Sequence, residues 1–160
     1  MYSLGVHDLA VLTYLIGGSV DEVDAVGTAI TNPGIEDDVS VHLRFSCGIK
    51  ADLNVNWLWP FLERHLTVLG SNGALRYDEV SGQVTFYENH GNPDATVTKG
   101  GSRLVFSSEE KPLRLECQHF IDCFLSGKKP LSPGEQGAQV IAIMERAHQK
   151  LTERQLYVLS

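Results

Sequence analysis

A period-two alternation of apolar and polar residues, sustained over two consecutive segments, most narrowly limits what this chain can fold into. Val39, Val41, Leu43 and Phe45 alternate with Ser40, His42, Arg44 and Ser46. Beyond Cys47-Gly48, Ile49, Ala51, Leu53, Val55 and Trp57 alternate with Lys50, Asp52, Asn54 and Asn56. Side chains two apart in a strand share a face, so both segments have one apolar and one polar side. With a glycine turn between them they form an antiparallel hairpin. Its register is set by the pattern, because a slip of one residue would turn every apolar side chain to solvent.

The rest of the chain extends this sheet. Residues 20–30 supply a strand before the hairpin. Residues 62–69 supply one after it, closed by the turn Gly70-Ser71-Asn72-Gly73, and shorter strands follow at 74–77, 83–87, 96–98 and 103–106. Helical spacing marks three segments. Residues 7–16 form a helix that is apolar most of the way round and ends at Gly17-Gly18. Leu113, Cys117, Phe120 and Phe124 mark a second, and Val140, Met144, Ala147 and Leu151 a third that starts near Pro133-Gly134-Glu135. Residues 156–159 read as a final short strand. Helix, run of strands and two helices, with tight turns throughout, predict an α+β fold. It is an open, mostly antiparallel sheet with helices packed on one face. The 160 residues read as a single domain, 1–160, large enough to bury a core without staples. The other sheet face is left uncovered. Val26, Ile30, Trp57 and Trp59 offer apolar area for it, and a second copy of the chain is the expected cover, making a homo-oligomer.

Composition removes several partners. The formal charge is −7 with no basic patch, so neither nucleic acid nor an anionic membrane is expected. No stretch approaches the roughly 18 apolar residues of a membrane helix, and no basic region precedes the first apolar run as in a signal peptide. Cys47, Cys117 and Cys123 form no CxxC pair, which predicts reduced, mostly buried thiols in a cytoplasmic protein. The six histidines lack zinc-site spacing, so no metal is expected. No GxGxxG or P-loop is present, so no dinucleotide should bind this chain alone.

Three places can carry chemistry. His7 stands at the predicted mouth of the first helix, after Gly5. There it can act as a general acid or base, its neutral form favoured by the helix N-terminus, or it can simply begin the helix. Trp57-Leu58-Trp59-Pro60 can line a sugar site, since aromatic faces pack on apolar sugar faces, or can be core or interface packing. Arg64 can grip a substrate carboxylate or phosphate, or make an ordinary ion pair.

Several of these stretches also resemble a known family. Leu4-Gly5-Val6-His7-Asp8-Leu9 with Tyr14-Leu15-Ile16-Gly17 is one. Asn56-Trp57 through Arg64 to Gly70-Ser71-Asn72-Gly73 is another. Pro112-Leu113 through Glu116, His119-Phe120-Ile121-Asp122 and then residues 134–147 is the third. In this order they are similar to the C-terminal domain of the glucose–fructose oxidoreductase / inositol dehydrogenase / MocA family, which has a dihydrodipicolinate-reductase-like fold. The resemblance implies the substrate-binding half of an oxidoreductase that moves hydride between NAD or NADP and a sugar, sugar derivative or polyol. The Rossmann domain that binds the cofactor is absent from this chain, so the isolated chain is expected to be inactive. By the resemblance His7 is the acid/base or substrate orienter and Ser3 can hydrogen-bond a sugar hydroxyl, while Trp57 and Arg64 are expected to bind substrate from their side-chain chemistry. Ser3 and Ala10 stand where the family pattern has aspartates. These departures leave a second reading open, a non-catalytic oligomerisation or sugar-binding module. Glu110-Lys111-Pro112 repeats the letters of the family's catalytic lysine motif but reads here as a helix start.

Overall fold

A computed structural model describes the backbone of residues 2–158 and the side chains of residues 5–154. The described chain divides into two compact units, residues 1–59 with 127–160, and residues 60–126.

The first unit holds α1 (Tyr2–Ile16), β1 (Val20–Thr28), β2 (Asp38–Phe45), β3 (Lys50–Asn56) and α3 (Gly134–Val158). The strands form an antiparallel sheet in the order β1-β2-β3. The alternation places Val39, Val41, Leu43 and Phe45 of the central strand in the core, with Val23 and Ala25 on one side and Leu53 and Val55 on the other. Helix α3 packs on β1 and α1 packs on β3, and the two helices touch each other. Leu9 and Leu12 of α1 and Val140, Ile143, Met144, Ala147 and Leu151 of α3 complete the core. At Gly27 a Cβ would sit 3.0 Å from the Leu151 side chain and 2.8 Å from that of Glu36. A larger residue there would push α3 off the strand. Ile49 and Trp57, the outer ends of the apolar alternation in the second segment, are exposed.

The second unit holds β4 (His65–Gly70), β5 (Gly73–Asp78), β6 (Gln83–Tyr87), β7 (His90–Gly91), β8 (Val97–Thr98), β9 (Ser102–Ser107) and α2 (Pro112–Ser126). Its antiparallel sheet runs β4-β5-β6-β9, with β7 and β8 as a separate ribbon. The Ser71-Asn72 turn closes on the Gly70–Gly73 pair. Gly73 has φ of 141°, and a Cβ there would lie 2.3 Å from the Tyr87 carbonyl oxygen. Only glycine meets both conditions.

The α+β class, the antiparallel pairing and the helix layer agree with the sequence reading. Pro112 opens α2 as expected. Four details differ. The later strands form a second sheet and a ribbon of their own instead of extending the sheet of β1–β3. Helix α1 begins at Tyr2, so His7 lies inside it, past the first turn over which the helix N-terminus acts, and not at its mouth. Residues 156–158 continue α3 rather than forming a strand, and Leu159 lies outside the described residues. The thiols are not mostly buried: Cys47 and Cys117 are exposed and Cys123 is half-buried.

Candidate functional site

Helix α1 has a buried and an open side. Leu9, Leu12 and Thr13 face the core, whereas His7, Val11, Tyr14 and Leu15 are exposed. The buried side is fixed by polar contacts as well as packing. Gln136 Nε2 of α3 donates to the Ala10 carbonyl at 3.0 Å and to Thr13 Oγ1 at 3.3 Å. Gln139 Nε2 donates to the Gly18 carbonyl at 2.8 Å, and the Arg146 guanidinium donates to the carbonyls of Val20 and Asp21, each at 2.7 Å. The long helix thus holds both α1 and its connection to β1, which gives His7 a rigid base. Ser3 lies in the first turns of α1, and its side chain is outside the described residues.

Trp57 follows β3 and is 70% exposed, and Trp59 is 54% exposed, so neither is core packing. Their segment is anchored through its backbone. Trp57 N–H donates to the Asp37 carbonyl at 2.8 Å, and Leu58 N–H to Asn56 Oδ1 at 2.8 Å. Asp37 is itself a buried hub. Its carboxylate accepts the Thr31 N–H at 2.7 Å, the Ile30 N–H at 2.9 Å and the Thr31 hydroxyl at 3.0 Å. These donors, the Thr31 N–H foremost, hold its pKa below the usual aspartate value. Because the folded pKa is depressed, the stabilisation is complete above the unfolded value of about 3.9 and is lost as pH falls through the folded value. Asp37→Asn is therefore expected to melt below the parent at neutral pH, with the gap closing below about pH 4. Thermal melts at both pH values check this, and an equal gap at both would refute the charge argument.

Arg64 belongs to the second unit, where its Nη1 donates to Glu79 Oε1 at 3.0 Å and its carbonyl accepts the Glu79 N–H at 2.9 Å. It is an ion-paired residue in this structure. His7 and Trp57 stand on α1 and just beyond β3, elements packed on one another within the first unit.

The sheet face of the first unit opposite the helices is polar. Cross-strand pairing puts Glu22, Arg44 and Lys50 in one row and Asp24, His42 and Asp52 in the next. Arg44 pairs with Glu22, Arg154 of α3 reaches Asp24 at 2.8 Å, and His42 Nδ1 lies 2.6 Å from Asp52 Oδ1. They border an open groove of about 570 Å³. A carboxylate beside an imidazole can orient it for proton transfer. Here the side chains are 52% and 78% exposed, however, and an exposed pair contributes little. This pair escaped the sequence reading because it depends on strand register. Among the described residues no group of three or more acidic, histidine or cysteine side chains could hold a metal, and no helix is long and apolar enough to cross a membrane.

Comparison with known proteins bears on this arrangement. Residues 1–76, which contain α1, the β1–β3 hairpins and Arg64, match the family model described as GFO/IDH/MocA C-terminal domain. The chain is 24% identical to scyllo-inositol 2-dehydrogenase (NAD(+)) of Bacillus subtilis, covering 79% of this chain and 37% of that protein. Its fold is similar to UDP-N-acetylglucosamine 3-dehydrogenase from Acidithiobacillus ferrooxidans, with a TM-score of 0.81 at 17% identity over 91% of this chain and 46% of that one. It is also similar to aldose-aldose oxidoreductase from Caulobacter crescentus, with a TM-score of 0.71 at 18% identity over 93% of this chain and 44% of that one. The chain spans less than half the length of each of these relatives. Residues 1–76 are thus similar in sequence to the GFO/IDH/MocA C-terminal domain, and more than nine-tenths of the chain is similar in fold to these two solved structures.

Proposed function

We propose that residues 1–160 act together as the substrate-binding half of an NAD(P)-dependent oxidoreductase that works on a sugar, sugar derivative or polyol. The observation that carries this reading is the two-sided α1. One side is locked into the core, and the other presents His7 in the matching family stretch with the exposed Val11, Tyr14 and Leu15 beside it. The dinucleotide-binding half is the partner this open surface fits. The described residues do not themselves suit a dinucleotide. Every ladder among them is antiparallel, so they offer no strand–helix–strand crossover at whose strand ends a pyrophosphate would lie. No hydride step is assigned to these residues. What they can supply is substrate orientation and a proton acceptor for the hydroxyl that becomes a carbonyl. Ser3 and the exposed Trp57 are the further substrate contacts proposed. Arg64, in the second unit, is proposed by itself as a group that can grip a substrate anion in place of Glu79.

The test joins this chain to a dinucleotide-binding half and follows nicotinamide reduction on a panel of sugars and polyols. Turnover on at least one supports the reading. Substrate binding without turnover would favour a non-catalytic sugar-binding module.

We also propose a homo-oligomer formed through an open sheet face, and the chemistry of the two sheets favours that of the second unit. Cross-strand rows there bring Leu66, Val68, Leu75, Tyr77, Val84 and Phe86 to one side. Val68 is 50% and Leu75 40% exposed. The open face of the first sheet is charged and already ion-paired, so covering it would gain far less. Sedimentation at micromolar concentration is expected to show a dimer or larger, and Val68→Lys to dissociate it. A monomeric parent chain would overturn this.

A further inference from the structure

Helix α2 points its apolar side outward. Leu113, Cys117, Phe120, Ile121 and Phe124 fall on one side of it at helical spacing, and all five are exposed, Phe120 by 70% and Phe124 by 80%. The helix makes no extended contact with any strand of its own unit. A short, stiff connection sets it there. Only residues 108–111 join β9 to α2. Ser108 N–H donates to the Gly82 carbonyl at 3.1 Å and Glu110 N–H to Ser108 Oγ at 3.2 Å, and the proline at 112 confines Lys111 to extended backbone.

The sheet of the same unit leaves a complementary face bare. Its two apolar rows, which include Val68, Leu75 and Phe86, run on into β9, where Val84 pairs with Phe106 and Phe86 with Arg103. The rows span about 14 Å across four strands, and the α2 stripe from Leu113 to Phe124 runs about 16 Å. Charge matches as well. The Arg103 guanidinium lies over the Phe86 ring, 5.2 Å from its centre, and among the described residues it has no carboxylate partner. Glu116, at the edge of the α2 stripe, has no basic partner among them.

We propose that α2 of one copy lies across the second-unit sheet of another, with Glu116 against the partner's Arg103, and that a two-fold dimer makes this contact twice. The inference rests on the homo-oligomer proposed above and names what forms it, helix against sheet. A second copy is the occupant because each chain carries both complementary surfaces and leaves both bare, and a closed two-fold contact needs such a self-complementary pair. The area suffices. At about 150–250 Å² for a whole aromatic side chain, Phe120 and Phe124 alone offer about 300 Å². Each copy contributes a stripe and a sheet face, which reaches the roughly 800 Å² per partner of a stable interface.

The experiment cross-links two chains of different size, both carrying C47S and C123S. The first keeps Cys117 on the α2 stripe, and the second carries C117S with L75C on the sheet face. After mixing, a short bis-maleimide is expected to join the two chains. E116R in the first chain should cut the yield severalfold, and R103E in the second should restore it. A third chain holds Cys117 and L75C together and should link to its own kind. Closure within one such chain would make α2 the cover of its own sheet and overturn the proposal. Sedimentation of the parent chain keeps the two readings apart. A monomeric parent overturns the oligomer and this inference together, whereas a dimeric parent with no mixed cross-link overturns this inference alone. Circular dichroism confirms that each variant is folded.

Discussion

His7→Ala in a protein that joins this chain to its dinucleotide-binding half is expected to lower kcat/KM by about 10²–10⁴-fold, with nicotinamide-cofactor affinity unchanged. That range corresponds to about 3–5 kcal/mol of transition-state stabilisation. The substitution is structurally mild. His7 lies within α1, on the exposed side, and alanine has the highest helix propensity. The core contacts of Leu9 and Leu12 and the Gln136 bond to the Ala10 carbonyl stay in place. Lost activity would therefore report chemistry and not unfolding. His7→Gln separates the two roles open to the residue, because glutamine can hold a substrate hydroxyl but cannot take its proton. If His7 only orients, Gln should recover most of the rate; if it moves the proton, Gln should resemble Ala, and added imidazole should partly restore the Ala variant. A His7→Ala enzyme with unchanged kcat/KM would remove His7 from the mechanism and favour the module that has lost catalysis, to which Ser3 and Ala10 already point.

What the sequence made legible follows the range of the forces involved. The hairpin of β2 and β3, the helix end at Gly17-Gly18, the Gly73 turn and the buried stripe of Val140, Met144, Ala147 and Leu151 depend on local pattern and backbone conformation, and all were readable. The start of α1 was not, because Tyr2, Ser3 and Gly5 are weak helix formers and read as a lead-in to His7. Residues 156–158 carry strand-like side chains, yet they extend a helix already six turns long, where adding a residue costs less than starting a strand. The Asp37 hub was hidden for another reason. Its partners lie in the preceding loop and after β3, and the chain pattern does not encode such contacts. Of the proposed site, the sequence showed residue types and not their surroundings. His7 and Trp57 are exposed, whereas the ion pair that engages Arg64 depends on how β4 and β5 meet.

Phe45→Ala is expected to destabilise the first unit by about 3–5 kcal/mol, a large part of the roughly 5–15 kcal/mol that holds a typical domain together. Phe45 is 1% exposed and ends β2, the central strand, so no edge relaxation is available to fill the space its ring leaves. Its backbone cannot shift inward either. Phe45 N–H donates to the Ile49 carbonyl at 2.9 Å, and its own carbonyl accepts the Gly48 N–H at 2.8 Å, which pins the residue to the hairpin turn. The same strand end pairs with Val20, where Arg146 of α3 docks on the backbone. A cavity at Phe45 should therefore loosen the helix layer that holds α1, and with it the base on which His7 stands. Urea unfolding followed by far-ultraviolet circular dichroism is the measurement, with a lowered midpoint and an unchanged slope as the expected result. Phe45→Leu, which leaves a smaller void, should lose less. A Phe45→Ala midpoint equal to the parent's would mean that the ring does not occupy the core position on which this account of the fold depends.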